Sequence, residues 1–429
     1  MAVTKINSPR GMRDILPKEA SFWQYIEKKA RHVFDKYFCE EVRTPILEET
    51  ALFKRAIGEG TDIVNKEMYT FLDRGGRSLT LRPEGTAPIV RSYIENKMYT
   101  ESLVKLFYIG PMFRAERPQK GRSRQFHQIG VEYIGESSYL VDVEAINMMV
   151  SFFNELPLKN YKIKMCSLGC NDDKKRLAQE LRKFLLPEKN RLCDDCRVRL
   201  DKNVLRTLDC KVESCRAIMR TSPKAKNYLC QSCGSHYNNV LDVLSGQGMP
   251  VIEDLNMVRG LDYYTNTVFE VTHSGLGSQD ALAAGGRYDN LIEDFGGKPT
   301  GAFGFAIGVE RLLMALESEN VKPHTYMRPD VYFVIPNGFK EAFIYAIKIR
   351  DALTENKLYC EMNLQSKSLK SQMRQADKKN ARQVVILGED EMKQHIAVVR
   401  DMDTSQQSNV PLADLTGSLM SKLKIGNGS

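Results

Sequence analysis

The chain has 429 residues, 42% of them apolar and 27% charged, and a formal net charge of +8. That length holds two or three domains, each with its own core, and the composition is ordinary for a globular protein. No apolar stretch approaches the roughly 20 residues of a membrane span, and Met1-Ala2-Val3-Thr4-Lys5 leads into no secretory signal, so a cytoplasmic protein without membrane contact is expected.

In chain order, Trp23, Ile26, Ala30, Val33 and Tyr37 recur at helical steps of three and four, and Pro45 stops regular structure. Ile46-Leu47-Glu48 reads as a short extended piece. Strand-like runs follow at Leu79-Thr80-Leu81, Leu106-Phe107-Tyr108-Ile109 and Gln128-Ile129-Gly130-Val131-Glu132; such close spacing with Gly and Pro turns predicts an antiparallel sheet. Between Tyr161 and Pro250 the composition changes, with 10 Lys and 8 Arg against 10 acidic residues, so this block carries a surplus of +8 and the rest sums to zero. Such a block suits either a polyanionic partner or a solvated surface. Eight of the ten cysteines lie in or beside it, and it reads as an insertion at about 165–250, helical from Lys174 to Leu185. Strand character resumes at Val268-Phe269-Glu270-Val271; nine glycines crowd between Gly275 and Gly308, and Val309 to Leu316 is helical. A linker at Pro323 to Pro329 leads to strands at Val331–Ile335 and Val384–Leu387, with helices at Lys340–Glu355 and near Lys367–Lys379. This predicts a small α/β domain with a largely parallel sheet.

Phe113 to Gln128 contains five cationic residues and one acid between two apolar strands. Arginines on a hairpin tip suit phosphates, which they grip bidentately, although a solvated loop would share the composition. Aromatic Phe126 could stack on a base. Gln128, Gly130 and Glu132 share one face of their strand, and polar groups inside a sheet need polar partners. Arg259-Gly260-Leu261-Asp262-Tyr263-Tyr264 precedes another strand. Arg311 falls in the opening turns of a helix, where the positive dipole end makes an anionic partner expected.

Together these stretches resemble the class II aminoacyl-tRNA synthetases: the arginine loop resembles motif 2, Gly308-Val309-Glu310-Arg311-Leu312 motif 3, and the segment ending at Pro45 the motif 1 dimer segment. Leu81-Arg82-Pro83-Glu84-Gly85-Thr86, Arg259 to Tyr264 and Ala284-Gly285-Gly286-Arg287-Tyr288-Asp289 narrow the likeness to the histidyl-tRNA synthetase family. The resemblance implies an α+β catalytic domain at 1–325 carrying the insertion, an anticodon-binding α/β domain at 329–429, and a homodimer. It implies L-histidine, ATP with Mg²⁺, and tRNA-His as partners. Histidine's amino group would lie at Glu84, Gly85 and Thr86 with Gln128, and its imidazole at Glu132, Tyr263 and Tyr264. ATP would meet Arg114, Glu116, Phe126 and Arg311. Arg114 and Arg259 would be the catalytic cations at the α-phosphate, beside the histidine carboxylate.

Cys193-Asp194-Asp195-Cys196 and Cys230-Gln231-Ser232-Cys233 have the local spacing of a tetrahedral zinc site, but 33 residues separate them and Cys210 and Cys215 intervene. Structural zinc and reduced thiols both fit, and no metal ligand is assigned from sequence. Lys367, Lys370, Arg374 and Lys378 make one basic helical face, suited to RNA or simply to solvent. The rival reading is a catalytically inactive relative, the regulatory subunit of ATP phosphoribosyltransferase. Those proteins generally lack the anticodon module and the arginine present here as Arg259.

Overall fold

In the computed structural model, which describes residues 6–258, 260–277, 280–321 and 328–424, the chain divides into two units, 1–324 and 325–429. The strands of the first are β1 (Glu40–Glu41), β2 (Leu47–Glu49), β3 (Tyr69–Leu72), β4 (Ser78–Leu81), β5 (Val104–Phe113), β6 (Gln125–Ile134), β7 (Tyr161–Ser167), β8 (Val251–Glu253), β9 (Thr265–His273), β10 (Ala281–Arg287) and β11 (Ala302–Gly308). Among the described residues, eight of them form one sheet in the order β1-β5-β6-β11-β10-β9-β7-β8, antiparallel except for the outer pairs β1/β5 and β7/β8. The strand predicted at Leu79–Leu81 instead belongs to a separate three-stranded sheet, β2-β4-β3.

Side-chain size alternates along the central strands and sets the two faces of the sheet. Phe107, Ile129, Val131, Tyr133, Phe269, Phe303 and Ile307 point into the main core, against the helices Pro17–Lys36, Tyr139–Glu155 and Val309–Ser318. Burying a side chain of this size contributes about 1.5–3 kcal/mol, which makes this face the principal source of stability. The opposite face carries Gly130, Gly304, Ala306 and Gly308, leaving room above the sheet. The helices Thr50–Ile57 and Thr86–Glu95 close the flank of that space with Phe53, Ile57, Ile89 and Val90. The first helix stops at Lys36, before the expected Pro45, because Phe38 turns the chain with a φ of 55°.

The basic block does not begin as a separate body. Residues to Ser167 are strand β7 of the main sheet, and the helix Gln231–Gly246 turns Tyr237, Val240 and Leu244 into the main core. Between them, the helices Asn171–Leu185, Asp194–Lys202 and Glu213–Met219 surround a smaller core of their own.

The second unit contains β12 (Val331–Val334), β13 (Cys360–Met362), β14 (Gln383–Ile386), β15 (Ile396–Asp401) and β16 (Gln407–Pro411), ordered β13-β12-β14-β15-β16. The first three are parallel, as the helical crossovers Lys340–Glu355 and Leu369–Lys378 require. The last two are antiparallel, correcting the expectation of a largely parallel sheet. For β15 and β16 the reason is local: Asp401 accepts the amides of Asp403 and Thr404 at 3.0 and 2.8 Å, in a tight turn that leads the chain back antiparallel.

Candidate active site

The small-residue face floors a cavity of about 260 Å³ in the first unit. Strand register sets Tyr108, Gly130, Ala306, Ala284 and Glu270 in one row across it, with Gln128 opposite Gly308 on one side and Glu132 opposite Gly304 on the other. Close approach demands these glycines. A Cβ on Gly304 would lie 1.7 Å from Glu132 Oε2, and on either Gly85 or Gly130 it would lie 2.2 Å from the Tyr108 ring.

One end of the cavity is built on buried acids. Glu84 caps the helix Thr86–Glu95, its Oε2 accepting the Thr86 amide at 2.7 Å and its Oε1 the Ala87 amide at 2.9 Å. The Tyr263 hydroxyl donates to Glu84 Oε2 at 3.4 Å. Glu132 Oε1 accepts from the Thr86 hydroxyl at 2.7 Å and its Oε2 from the Tyr288 hydroxyl at 2.6 Å. Glu84 and Glu132 are 3% and 1% exposed. Burial raises both carboxyls, Glu132 to about 8; Tyr288 and Thr86 pull Glu132 down while the nearby Glu84 pushes it up. Two neighbouring buried acids favour a cationic ligand, which would relieve both. Gln128 lines the same cavity, and its Oε1 is buried with no hydrogen-bond partner among the described residues, an acceptor that a ligand N–H would satisfy.

Guanidinium groups make up another part of the wall. Arg114 donates from Nε to the Pro83 carbonyl at 2.9 Å, and its guanidinium stands 5.2 Å from the Phe126 ring centroid. Arg122 pairs with Glu116 at 2.7 Å. Arg311 donates to the carbonyls of Gly121 at 3.0 Å and Ala281 at 2.7 Å, so backbone dipoles hold its guanidinium in the cavity wall. Burial depresses Arg311, and repulsion from Arg122 and Arg114 depresses it further, against the pull of Glu116 and Glu270. An anion among these three cations would reverse that cost. Glu310, next along the helix, accepts the His127 amide at 3.0 Å and fixes the helix start to β6.

The loop entering β9 is held from the insertion. Arg206 donates to the Gly260 carbonyl at 2.6 Å and to Asp262 at 3.3 Å, and Asn203 reaches Asp262 at 3.3 Å. Gly260, Leu261, Tyr263 and Tyr264 all line the cavity.

Comparison with known proteins supplies the family. Residues 11–312 match the family model described as histidyl-tRNA synthetase, and residues 331–422 match the anticodon binding domain. The chain belongs to the histidyl-tRNA synthetase family. It is 45% identical over 413 residues to a histidine–tRNA ligase of Halothermothrix orenii, covering 96% of this chain and 98% of the relative. The crystal structure of apo histidyl-tRNA synthetase from S. aureus superposes with a TM-score of 0.81 at 35% identity, covering 97% of this chain and all of that one. A Bacillus halodurans structure described as an ATP phosphoribosyltransferase regulatory subunit/histidyl-tRNA synthetase reaches 0.65 at 21% identity over 90% of this chain and 99% of that one, a likeness of fold alone.

Within this synthetase fold, the structure brings Glu84, Thr86, Arg114, Glu116, Phe126, Gln128, Tyr263, Tyr264 and Arg311 to one cavity. Gly85 and Glu132 are not among its lining residues. Gly85 instead makes room for Tyr108, and the oxygens of Glu132 are engaged by Thr86 and Tyr288, which do line it. Arg259 lies outside the described residues. Sequence reasoning gave no role to Tyr108, Arg122, Glu270 or Tyr288. Strand parity could have found Glu270, which is two residues from Val268 on the same face of β9.

Proposed function

We propose that the chain is a histidine–tRNA ligase that activates L-histidine with ATP and transfers the histidyl group to the 3′ end of tRNA-His. The observation that carries this reading is the division of one cavity between the buried Glu84 carboxyl, with Glu132 behind Thr86 and Tyr288, and three guanidinium groups. The first suits a cationic amino acid and the second a polyphosphate. In the first step the histidine carboxylate attacks the α-phosphorus of ATP, forming histidyl-adenylate and releasing pyrophosphate. In the second a hydroxyl of the terminal tRNA ribose takes the acyl group and AMP leaves.

Glu84, Thr86 and Gln128 would receive the α-ammonium group. Tyr263, Tyr264 and Glu132 would define the imidazole pocket, Glu132 by fixing the hydroxyls of Thr86 and Tyr288 or by accepting a ring N–H. Arg114 and Arg259 would hold the α-phosphate oxygens as charge accumulates there, Arg311 the γ-phosphate, and Phe126 the adenine. Mg²⁺ bound with ATP neutralises phosphate charge, and Glu116 and Glu270 offer the oxygen donors it prefers. Exposed Phe38, Phe71 and Leu72 are apolar surface of the kind a homodimer would cover. No helix among the described residues is long and apolar enough to cross a membrane, in keeping with cytoplasmic work on tRNA.

Pyrophosphate exchange measured with each of the twenty amino acids tests the reading: histidine alone should support it. Exchange with a different amino acid, or none from folded protein, would overturn it, the latter favouring the regulatory-subunit alternative.

Glu132→Gln gives a second expected result. Histidine binding should weaken by roughly 1.5–3 kcal/mol, the scale of a charge-assisted hydrogen bond, and ATP binding by much less. Equal losses for both ligands, read by calorimetry, would mean that Glu132 only supports the fold. The same variant has a stability signature. The folded-state pKa of Glu132 is raised from 4.5 to about 8, so the folded state holds the proton more tightly than the unfolded one. This contribution is full below about 4.5, declines as pH rises, and is gone above about 8. Urea denaturation across that window should show wild type losing stability with pH more steeply than Glu132→Gln.

A further inference from the structure

The paired cysteines do not pair with each other. Cys193 and Cys196 group with Cys210 and Cys215, whereas Cys230 and Cys233 group with Cys170 and Asp173; within each group one ligand atom per residue lies within 4.8 Å of all the others. We propose that the insertion binds two zinc ions, one held by Cys193, Cys196, Cys210 and Cys215 and the other by Cys170, Asp173, Cys230 and Cys233.

Helix starts create both sites. Cys193 is the N-cap of the helix Asp194–Lys202, Cys230 of the helix Gln231–Gly246, and Cys170 of the helix Asn171–Leu185. Three residues on, Cys196, Cys233 and Asp173 occupy the position whose side chain returns toward the cap, as in a capping box. Each helix therefore offers two donors at its positive end, where thiolates are favoured. In the second site two such pairs face each other. In the first, Cys210 and Cys215 come from the end of the short turn Val204–Asp209 and the first turn of Glu213–Met219.

The spacing suits zinc better than the alternatives. Cys193 Sγ and Cys210 Sγ are 3.7 Å apart. Zinc–sulfur bonds of about 2.3 Å in a tetrahedron separate the sulfurs by about 3.8 Å, whereas a disulfide needs about 2.05 Å. The Cys193 amide donates to Cys215 Sγ at 3.2 Å, a second contact that favours a thiolate there. Asp173 is almost fully buried, pairs with Arg176 and accepts the amides of Cys170 and Cys230 at 3.2 and 3.0 Å, which orients the carboxylate as a fourth donor. Thiols serving only as packing have no reason to converge in fours. The module also needs a staple, because its core includes Cys196, Cys210 and Cys215 themselves and its helices Asp194–Lys202 and Glu213–Met219 have only 9 and 7 residues.

Binding two Zn²⁺ to seven thiols and one carboxylate releases seven protons, which lowers the +8 of the block to +5. Part of that basic surplus is then the counter-charge of the metal sites rather than a nucleic-acid surface. The first site also bears on catalysis, because Asn203 and Arg206, which hold the Gly260–Asp262 loop, lie between Cys196 and Cys210.

Metal analysis of untagged full-length protein from zinc-supplemented cells should give two zinc per chain, and a mercurial thiol reagent should release both to a zinc dye. Cys210→Ser and Cys230→Ser should each retain one, with only Cys210→Ser lowering pyrophosphate exchange, by about tenfold or more as the loop loosens. If the variants do not fold, Co²⁺ reconstitution of the wild-type apoprotein decides, with thiolate-to-cobalt absorption saturating at two equivalents. One zinc, none, or bound iron in the wild type would overturn the proposal, as would saturation below two cobalt.

Discussion

Arg114→Ala should reduce ATP–pyrophosphate exchange by on the order of 10²–10³-fold while leaving the protein folded, since on the proposed assignment it removes a fixed cation from the place where phosphoryl charge develops. The placement of this side chain supports the expected loss. Its Nε is fixed on the Pro83 carbonyl at 2.9 Å, its guanidinium rests by the Phe126 ring, and Glu116 stands 3.9 Å away, so the cation is placed before substrate arrives. Preorganisation of this kind lowers the barrier without reorganisation during the reaction. The loss should fall mainly on kcat for exchange, with histidine binding reduced less, because the Thr86 and Ala87 amides still hold Glu84 after the pull of Arg114 on it is gone. Arg114→Lys should recover only part of the rate, because an ammonium cannot both donate to Pro83 and grip two phosphate oxygens. Arg259→Ala, at the same α-phosphate by family resemblance, should cost a similar 10²-fold or more. Near-normal exchange in Arg114→Ala would remove Arg114 from the reaction.

Much of this arrangement is legible in the sequence because it follows from parity and local composition. Gln128, Gly130 and Glu132 alternate on one strand, the arginine loop sits between two apolar runs, and strands alternate with helices from Val331 to Ile386. What escaped depends on pairing between distant segments. The bond from Tyr288 to Glu132 spans 156 residues and exists because β10, β11 and β6 fall in one register. No periodicity within either strand announces it. The cysteines show the same limit from another side. Two C-x-x-C pairs look like partners on paper, but each marks the start of a different helix, and the helices carry them to different neighbours. The helix position of Arg311 predicts an anionic partner, protein or ligand, but not the backbone carbonyls of Gly121 and Ala281 that hold its guanidinium in the cavity wall. β16 has a single buried residue, Val410, so its pairing with the apolar β15 rests on the turn at Asp401 rather than on a hydrophobic pattern of its own.

Deleting everything after Pro329 should separate the two half-reactions. All residues lining the cavity lie at or before Arg311, whereas Lys367, Lys370, Arg374 and Lys378 are exposed on the second unit, the last three on the helix Leu369–Lys378. The second unit has its own core, built on Val331, Phe333, Val385 and Leu419, and every residue lining the cavity belongs to the first unit. The truncated protein should therefore continue to form histidyl-adenylate, with exchange within a few-fold of wild type as long as any dimer interface is preserved. Charging of tRNA-His should fall by roughly 10²-fold or more, chiefly through weaker binding, because several phosphates are left without their cations together. The salt dependence identifies the cause. The slope of log K against log salt should become shallower by about 0.7–0.9 for each phosphate that the protein no longer neutralises. Glu, Gln and Ser replacements of Lys370 and Arg374 in the full-length chain should move the slope in the same direction without touching exchange. Measuring both activities on one preparation excludes loss of folded protein as the explanation. If exchange and charging vanish together in a folded core, the second unit is required for activation itself; if charging is unchanged, tRNA is recognised elsewhere, and the basic helix is a solvated face.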